Sequence, residues 1–198
     1  MSTSSRKKAI ELWQTDVPDG DKEKLAKTLF CVENPPGTKY VSGSQDSLGI
    51  SMPGLNKYYY EGGYWPTEIE SVLLPNVLDW LEERIWMIPL YPCHENYDVL
   101  ANTNIDEAGA IRLSEATDQC WIVLQHLDAP AVGLAMTKSF EAQIAMFPNM
   151  VTQDIMNQIN SFKDKVLGWK VSGAGGGGYL IFFSEDVIEN AIQIRIRR

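Results

Sequence analysis

The sequence predicts an α+β fold. Three observations lead there: amphipathic helical patterning fills most of residues 106–165, several short aromatic or aliphatic runs have strand length, and no repeat or low-complexity tract interrupts them. With 198 residues, of which 44% are hydrophobic and 22% charged, the chain is long enough for one sizeable core or two small ones.

Residues 7–13 read as a first helix, stopped by Val17-Pro18-Asp19-Gly20. Residues 21–32 place Leu25, Ala26, Leu29, Phe30 and Val32 near helical period, with Asp21 as the N-cap, and Asn34-Pro35-Pro36-Gly37 ends that helix because proline cannot continue the ladder. The region 38–92 is rich in Gly, Pro, Tyr and Trp. Within it, Lys57-Tyr58-Tyr59-Tyr60 suggests a strand before a Glu61-Gly62-Gly63 turn, 78–83 a short connector or helical turn, and 84–90 a buried strand ended by Tyr91-Pro92. Helical patterns follow at 114–127, 137–146 and 155–166. Strand-like runs at 178–183 and 192–196 close the chain, separated by a helical candidate at 185–190.

The bulk properties exclude several function classes. A formal charge of −9 argues against a broad nucleic-acid surface, since phosphate backbones demand clustered Lys and Arg. The basic runs at 6–8 and 195–198 are short and terminal, and read as solvated faces. Cys31, Cys93 and Cys120 form neither a disulfide framework nor a CxxC pair. His94 and His126 stand apart from the carboxylate or thiol spacing of a metal site. No apolar run approaches the roughly 20 residues that span a bilayer, and no hydrophobic signal region follows the first basic residues. A cytoplasmic location without a membrane partner is the expectation.

The sharpest feature is Lys170-Val171-Ser172-Gly173-Ala174-Gly175-Gly176-Gly177-Gly178. Five glycines in six residues forfeit side-chain packing and cost backbone entropy. Such a segment is expected where the main chain approaches something closely, and its N–H groups can form an anion-binding nest. The run lacks the Gly-Lys-Ser/Thr ending of a Walker loop, and a strand follows it where a Rossmann loop would open a helix.

This segment closely resembles the third conserved motif of the GHMP kinases, the superfamily of galactokinase, homoserine kinase and mevalonate kinase. Its flanks, Gly168-Trp169-Lys170 and 179–183, look most like the heptose-phosphate kinase and fucokinase branch. A second stretch, Val41-Ser42-Gly43-Ser44-Gln45-Asp46-Ser47-Leu48-Gly49, resembles the family's Gln-Asp-Gln segment, with Ser47 where glutamine is common. A third, Ser2-Thr3-Ser4-Ser5 before the first helix, resembles the end of the Gly-Leu-Gly-Ser-Ser-Ser phosphate loop.

The resemblance implies a fold and a chemistry. The fold would be an incomplete GHMP kinase: residues 1–79 the latter part of the N-terminal α/β domain (ribosomal S5 domain 2-like), and 80–198 a ferredoxin-like C-terminal domain. Asp46 would be the catalytic carboxylate facing the attacking hydroxyl. Gly173, Ala174, Gly175, Gly176 and Gly177 would support nucleotide phosphates, and Ser4 and Ser5 would contact phosphate or Mg²⁺. The implied cofactors are ATP and Mg²⁺, and the implied acceptor is a sugar or sugar phosphate, D-glycero-D-manno-heptose 7-phosphate above fucose or galactose. Because family members run well beyond this length, the isolated chain is expected to show little activity. The alternative expectation is a binding or assembly module that dimerises or pairs with an N-terminal fragment. Tyr58, Tyr59, Tyr60, Tyr64 and Trp65 are then sugar-stacking or interface candidates, with ordinary sheet packing the simpler role.

Overall fold

A computed structural model describes residues 3–14, 16–92, 98 and 100–198, except the side chains of Thr3 and Ser4. Cys93 and His94 lie outside the described residues. The architecture is mixed α and β, with two small antiparallel sheets. The chain divides into two compact units, 1–74 with 196–198, and 75–195.

The first unit contains α1 (Thr3–Trp13), α2 (Lys22–Glu33), α3 (Gln45–Ser51) and a hairpin of β1 (Leu55–Tyr59) with β2 (Glu68–Val72). As the sequence predicts, Asp21 caps α2, its carboxylate accepting the Lys24 N–H. Ala9, Leu29 and Ile50, one from each helix, bury themselves together, and Leu12, Trp13 and Val17 pack against them. The hairpin pairs Leu55 with Val72 and Tyr59 with Glu68. Burial pushes the Tyr58 phenol up to about 12.

The second unit is built on a four-stranded antiparallel sheet of β3 (Ile85–Pro89), β4 (Gly168–Val171), β5 (Tyr179–Phe183) and β6 (Ile192–Gln193), in the order β4-β5-β3-β6. Its helices are α4 (Pro75–Glu82), α5 (Glu107–Gln125), α6 (Ala129–Met146) and α7 (Gln153–Phe162). The starts of the last three are written in the sequence as caps: Asp106, Asp128 and Thr152 accept N–H groups from Gly109, Ala131 and Ile155. The sheet's register aligns Trp86 with Phe182 and Leu180 with Val171. These residues share a core with Phe140 from α6 and Ile155 and Ile159 from α7.

One element differs from expectation. Residues 185–190 form turns rather than a helix. The Ser184 hydroxyl accepts the Asp186 N–H, Asn190 takes φ +63°, and Ile188 is drawn into the core, so local capping and burial override helix propensity. Of the two expectations for 78–83 the helical turn holds: residues 78–82 are part of the two-turn helix α4, which begins on Pro75, a residue suited to a first helical position.

Candidate functional site

The glycine-rich segment is the loop of a β4–β5 hairpin, closed by the Ser172 N–H donating to the Tyr179 carbonyl at 2.9 Å. Two further bonds anchor it from outside. The Gly178 N–H donates to the Tyr91 carbonyl (3.0 Å), and the Gly176 N–H donates to the Met150 carbonyl (2.8 Å) in the short 3-10 turn Pro148–Met150. A tight hairpin needs one or two glycines; this loop uses five, all at positive φ. Gly175 shows why most clearly. Its φ is +84°, and a Cβ there would run into the backbone of Met150.

The anchoring decides which amides remain. Among the described residues, the N–H groups of Gly173, Ala174, Gly175 and Gly177 have no acceptor. Gly173 and Ala174 are exposed, so their donors face solvent. Of the sequence-predicted loop residues, Gly176 differs: its amide is engaged with Met150. Successive free N–H groups on left-handed backbone are the chemistry of an anion nest.

Lys170, in β4 shortly before the loop, is a buried cation for which sequence reasoning named no role. Burial holds its ammonium below the usual lysine range, while Cys120 on α5 acts weakly in the opposite direction. Burial in turn pushes the Cys120 thiol up, so it stays a neutral thiol and supplies no full counter-charge. Among the described residues, no carboxylate pairs with Lys170. A desolvated, unpaired cation is costly to hold, and such groups gather at functional sites. The signal was present in the sequence as a lysine in an otherwise apolar strand run.

This gives a prediction. Lys170→Met is expected to raise stability at neutral pH by on the order of 1 kcal/mol, by removing the desolvation penalty. The folded pKa lies below 10.5, so the penalty is full at lower pH and is relieved as pH rises from the lowered value toward 10.5. The difference in urea midpoint between variant and wild type should therefore shrink in alkali. A variant less stable than wild type at neutral pH contradicts this.

The other predicted residues lie in the first unit. Asp46 occupies the first turn of α3 and is partly buried. Its neighbours fix the turn: Ser44 is fully buried with its hydroxyl 3.0 Å from the Tyr60 hydroxyl, and the Ser47 hydroxyl donates to the Ser44 carbonyl at 2.9 Å. Upstream, the Asn34 side chain accepts the Ser42 N–H at 2.7 Å, tying the approach to α3 to the end of α2. A carboxylate in a first helical turn is stabilised by the free amides there. Ser4 and Ser5 lie in the first turn of α1, with Ser5 buried. Among the described residues, no group of three or more His, Cys, Asp or Glu is placed to hold a metal ion, and no helix is long and apolar enough to cross a membrane.

No protein-family model and no curated protein matches the chain by sequence. Solved structures do match its fold. A provisionally named sugar kinase from Campylobacter jejuni is 17% identical, with a TM-score of 0.58, over 92% of this chain and 52% of that one. A D-glycero-D-manno-heptose 1-phosphate kinase from Bacteroides thetaiotaomicron is 13% identical, with a TM-score of 0.52, over 89% of this chain and 48% of that one. A mevalonate kinase from Methanococcus jannaschii is 16% identical, with a TM-score of 0.53, over 84% of this chain and 50% of that one. The chain thus spans about half the length of these structures, and over that half its fold is similar to theirs.

Proposed function

We propose that the chain is part of an ATP-dependent kinase that transfers the γ-phosphoryl group to a hydroxyl of a sugar or sugar phosphate. The observation that carries this reading is the β4–β5 loop with its unengaged amides, which follows the strand that carries the desolvated Lys170. That donor set suits a polyphosphate: fixed dipoles open to a ligand and a desolvated cation. Mg²⁺ suits the same reading as an ion brought by the nucleotide. Its chemistry would be to neutralise charge on the β- and γ-phosphates.

In this reading Asp46 receives the proton of the acceptor hydroxyl while that oxygen bonds to the γ-phosphorus and ADP leaves with the electrons of the broken P–O bond. D-glycero-D-manno-heptose 7-phosphate is the favoured acceptor, with fucose and galactose as competitors. The similarity to a protein named as a heptose 1-phosphate kinase supports the sugar class. The strand order β4-β5-β3-β6 supports a ferredoxin-like reading of residues 80–198, with the turn at 185–190 standing where a second crossover helix would run. Residues 1–79 then correspond to the latter part of the N-terminal domain.

The isolated chain is expected to bind ATP but to transfer phosphate slowly. Radiolabelled ATP with a panel of sugars and sugar phosphates tests this. Asp46→Asn should leave ATP affinity within about twofold and lower residual transfer by about 10²-fold or more. Transfer that survives the substitution unchanged removes Asp46 from the chemistry.

One observation favours a second reading, an assembly module. Among the described residues the β1–β2 sheet has two strands, below the number that is stable without a covering layer, and Leu73 and Leu74 beyond it are exposed. Sedimentation equilibrium separates the readings, because a monomer at all concentrations leaves the assembly role without support.

A further inference from the structure

The first unit holds a cavity that neither Asp46, the serines of α1 nor the glycine loop lines. Its volume is about 280 Å³, and it lies between α1, the turn after α1, α3 and the returning C-terminal residues. Ala9 and Ile50 form an apolar floor and Trp13 a part-buried wall. Arg6, Arg197 and Asp16 supply the charge.

The two arginines are held differently. Arg197 is preorganised: its Nη1 donates to the Ile50 carbonyl, its Nη2 lies 3.5 Å from the Asp16 carboxylate, and its own carbonyl accepts the Gly54 N–H at 2.8 Å. Arg6 is exposed, and among the described residues its guanidinium has no hydrogen-bond or ion-pair partner. Asp16 feels both. Its carboxyl is held below the usual range first by the Val17 N–H, then by Arg197, and less by Arg6 and Lys22.

Two guanidiniums against one carboxylate give the cavity a sign opposite to that of a chain carrying −9 overall. Guanidinium is the group suited to two-oxygen anions, since its planar N–H fork matches carboxylate and phosphate alike. An indole beside that fork adds an apolar surface for the rest of a ligand. We propose that this cavity binds a small organic anion, its carboxylate or phosphate-ester head between Arg6 and Arg197 and its apolar body against Trp13. The volume suits a single ring or a short chain, at the small end of ligand pockets. The site is independent of the kinase reading, so either can fail without the other.

The test follows the Trp13 indole N–H by ¹H–¹⁵N NMR of the full chain. Benzoate and phenyl phosphate probe the two head groups, benzyl alcohol the neutral body, and inorganic phosphate the bare head. At least one organic anion should give a saturable shift with an affinity of about millimolar. Whichever of benzoate and phenyl phosphate binds more tightly identifies the head group. Arg6→Gln, on an exposed face, should weaken that binding about tenfold, and Lys7→Gln should not. Should Arg6→Gln disturb folding, Asp16→Asn decides: removing the competing carboxylate should tighten binding. The proposal is overturned by no saturable shift, by benzyl alcohol or inorganic phosphate binding as tightly as the organic anions, or by an affinity indifferent to both Arg6→Gln and Asp16→Asn.

Discussion

Gly168→Val is expected to destabilise the chain by more than about 4 kcal/mol, the largest effect of any single substitution considered. The reason is a backbone-to-backbone contact. A Cβ on Gly168, the first residue of β4, would overlap the carbonyl of Gly133 in α6, and a Cβ on Gly133 would overlap the carbonyl of Leu167. Neither partner is a side-chain tip that can swing away. The contact also sets the close crossing of helix on strand, where the Trp169 N–H reaches the Thr137 hydroxyl at 3.4 Å. Phe140 on α6 and Phe182 on the sheet are both almost fully buried, so pushing the layers apart would open the main core. Gly43→Ala is the control, because nothing lies within 4 Å of a Cβ at that position. Urea unfolding of the two variants reads the difference. A Gly168→Val protein with a near-native midpoint would refute the crossing.

Gly175→Val should follow, at about 3 kcal/mol, and it combines two penalties. The φ of +84° is strained for a β-branched residue, and the added carbon meets the Met150 backbone that receives the Gly176 N–H. Gly173→Ala separates the two. Its φ is +68° but open space surrounds the position, so it should carry only the conformational penalty, about 1 kcal/mol. Equal losses from the two substitutions would mean that the loop is not anchored on Met150. The Gly175 variant should also lose nucleotide binding, since the amides on either side of the collision are displaced.

Legibility in the sequence followed the locality of the forces. Asp21 as a cap, Pro35-Pro36 as a stop and the glycine run as a loop are all local chemistry, and each appears where the residues indicate. Helix α3 was harder to read because it buries Ser44, Ser47 and Ser51 beside Leu48 and Ile50. Ser44 and Ser47 are satisfied by a neighbouring hydroxyl and carbonyl, whereas the buried Ser51 hydroxyl has no partner among the described residues, and buried serines blur the apolar period that marks a helix. At 185–190 the error ran the other way. Helix-forming residues gave way to a serine turn and to the burial of Ile188, neither of which periodicity reports.

The candidate site shows the same division. The loop's need for glycine was legible, but which amides are spent on Met150 and Tyr91 depends on tertiary neighbours. Lys170 carried no mark beyond its apolar flanks, because its significance comes from burial beside the neutral thiol of Cys120.

The most direct test of the central claim, that the β4–β5 loop and Lys170 bind nucleotide phosphate, is calorimetric titration of ATP with Mg²⁺ into the wild-type chain and into Lys170→Met. The account predicts saturable binding by the wild type that weakens by about tenfold or more in a variant of equal or greater stability. Undiminished affinity in Lys170→Met, or no binding by the wild type at about millimolar nucleotide, would contradict it.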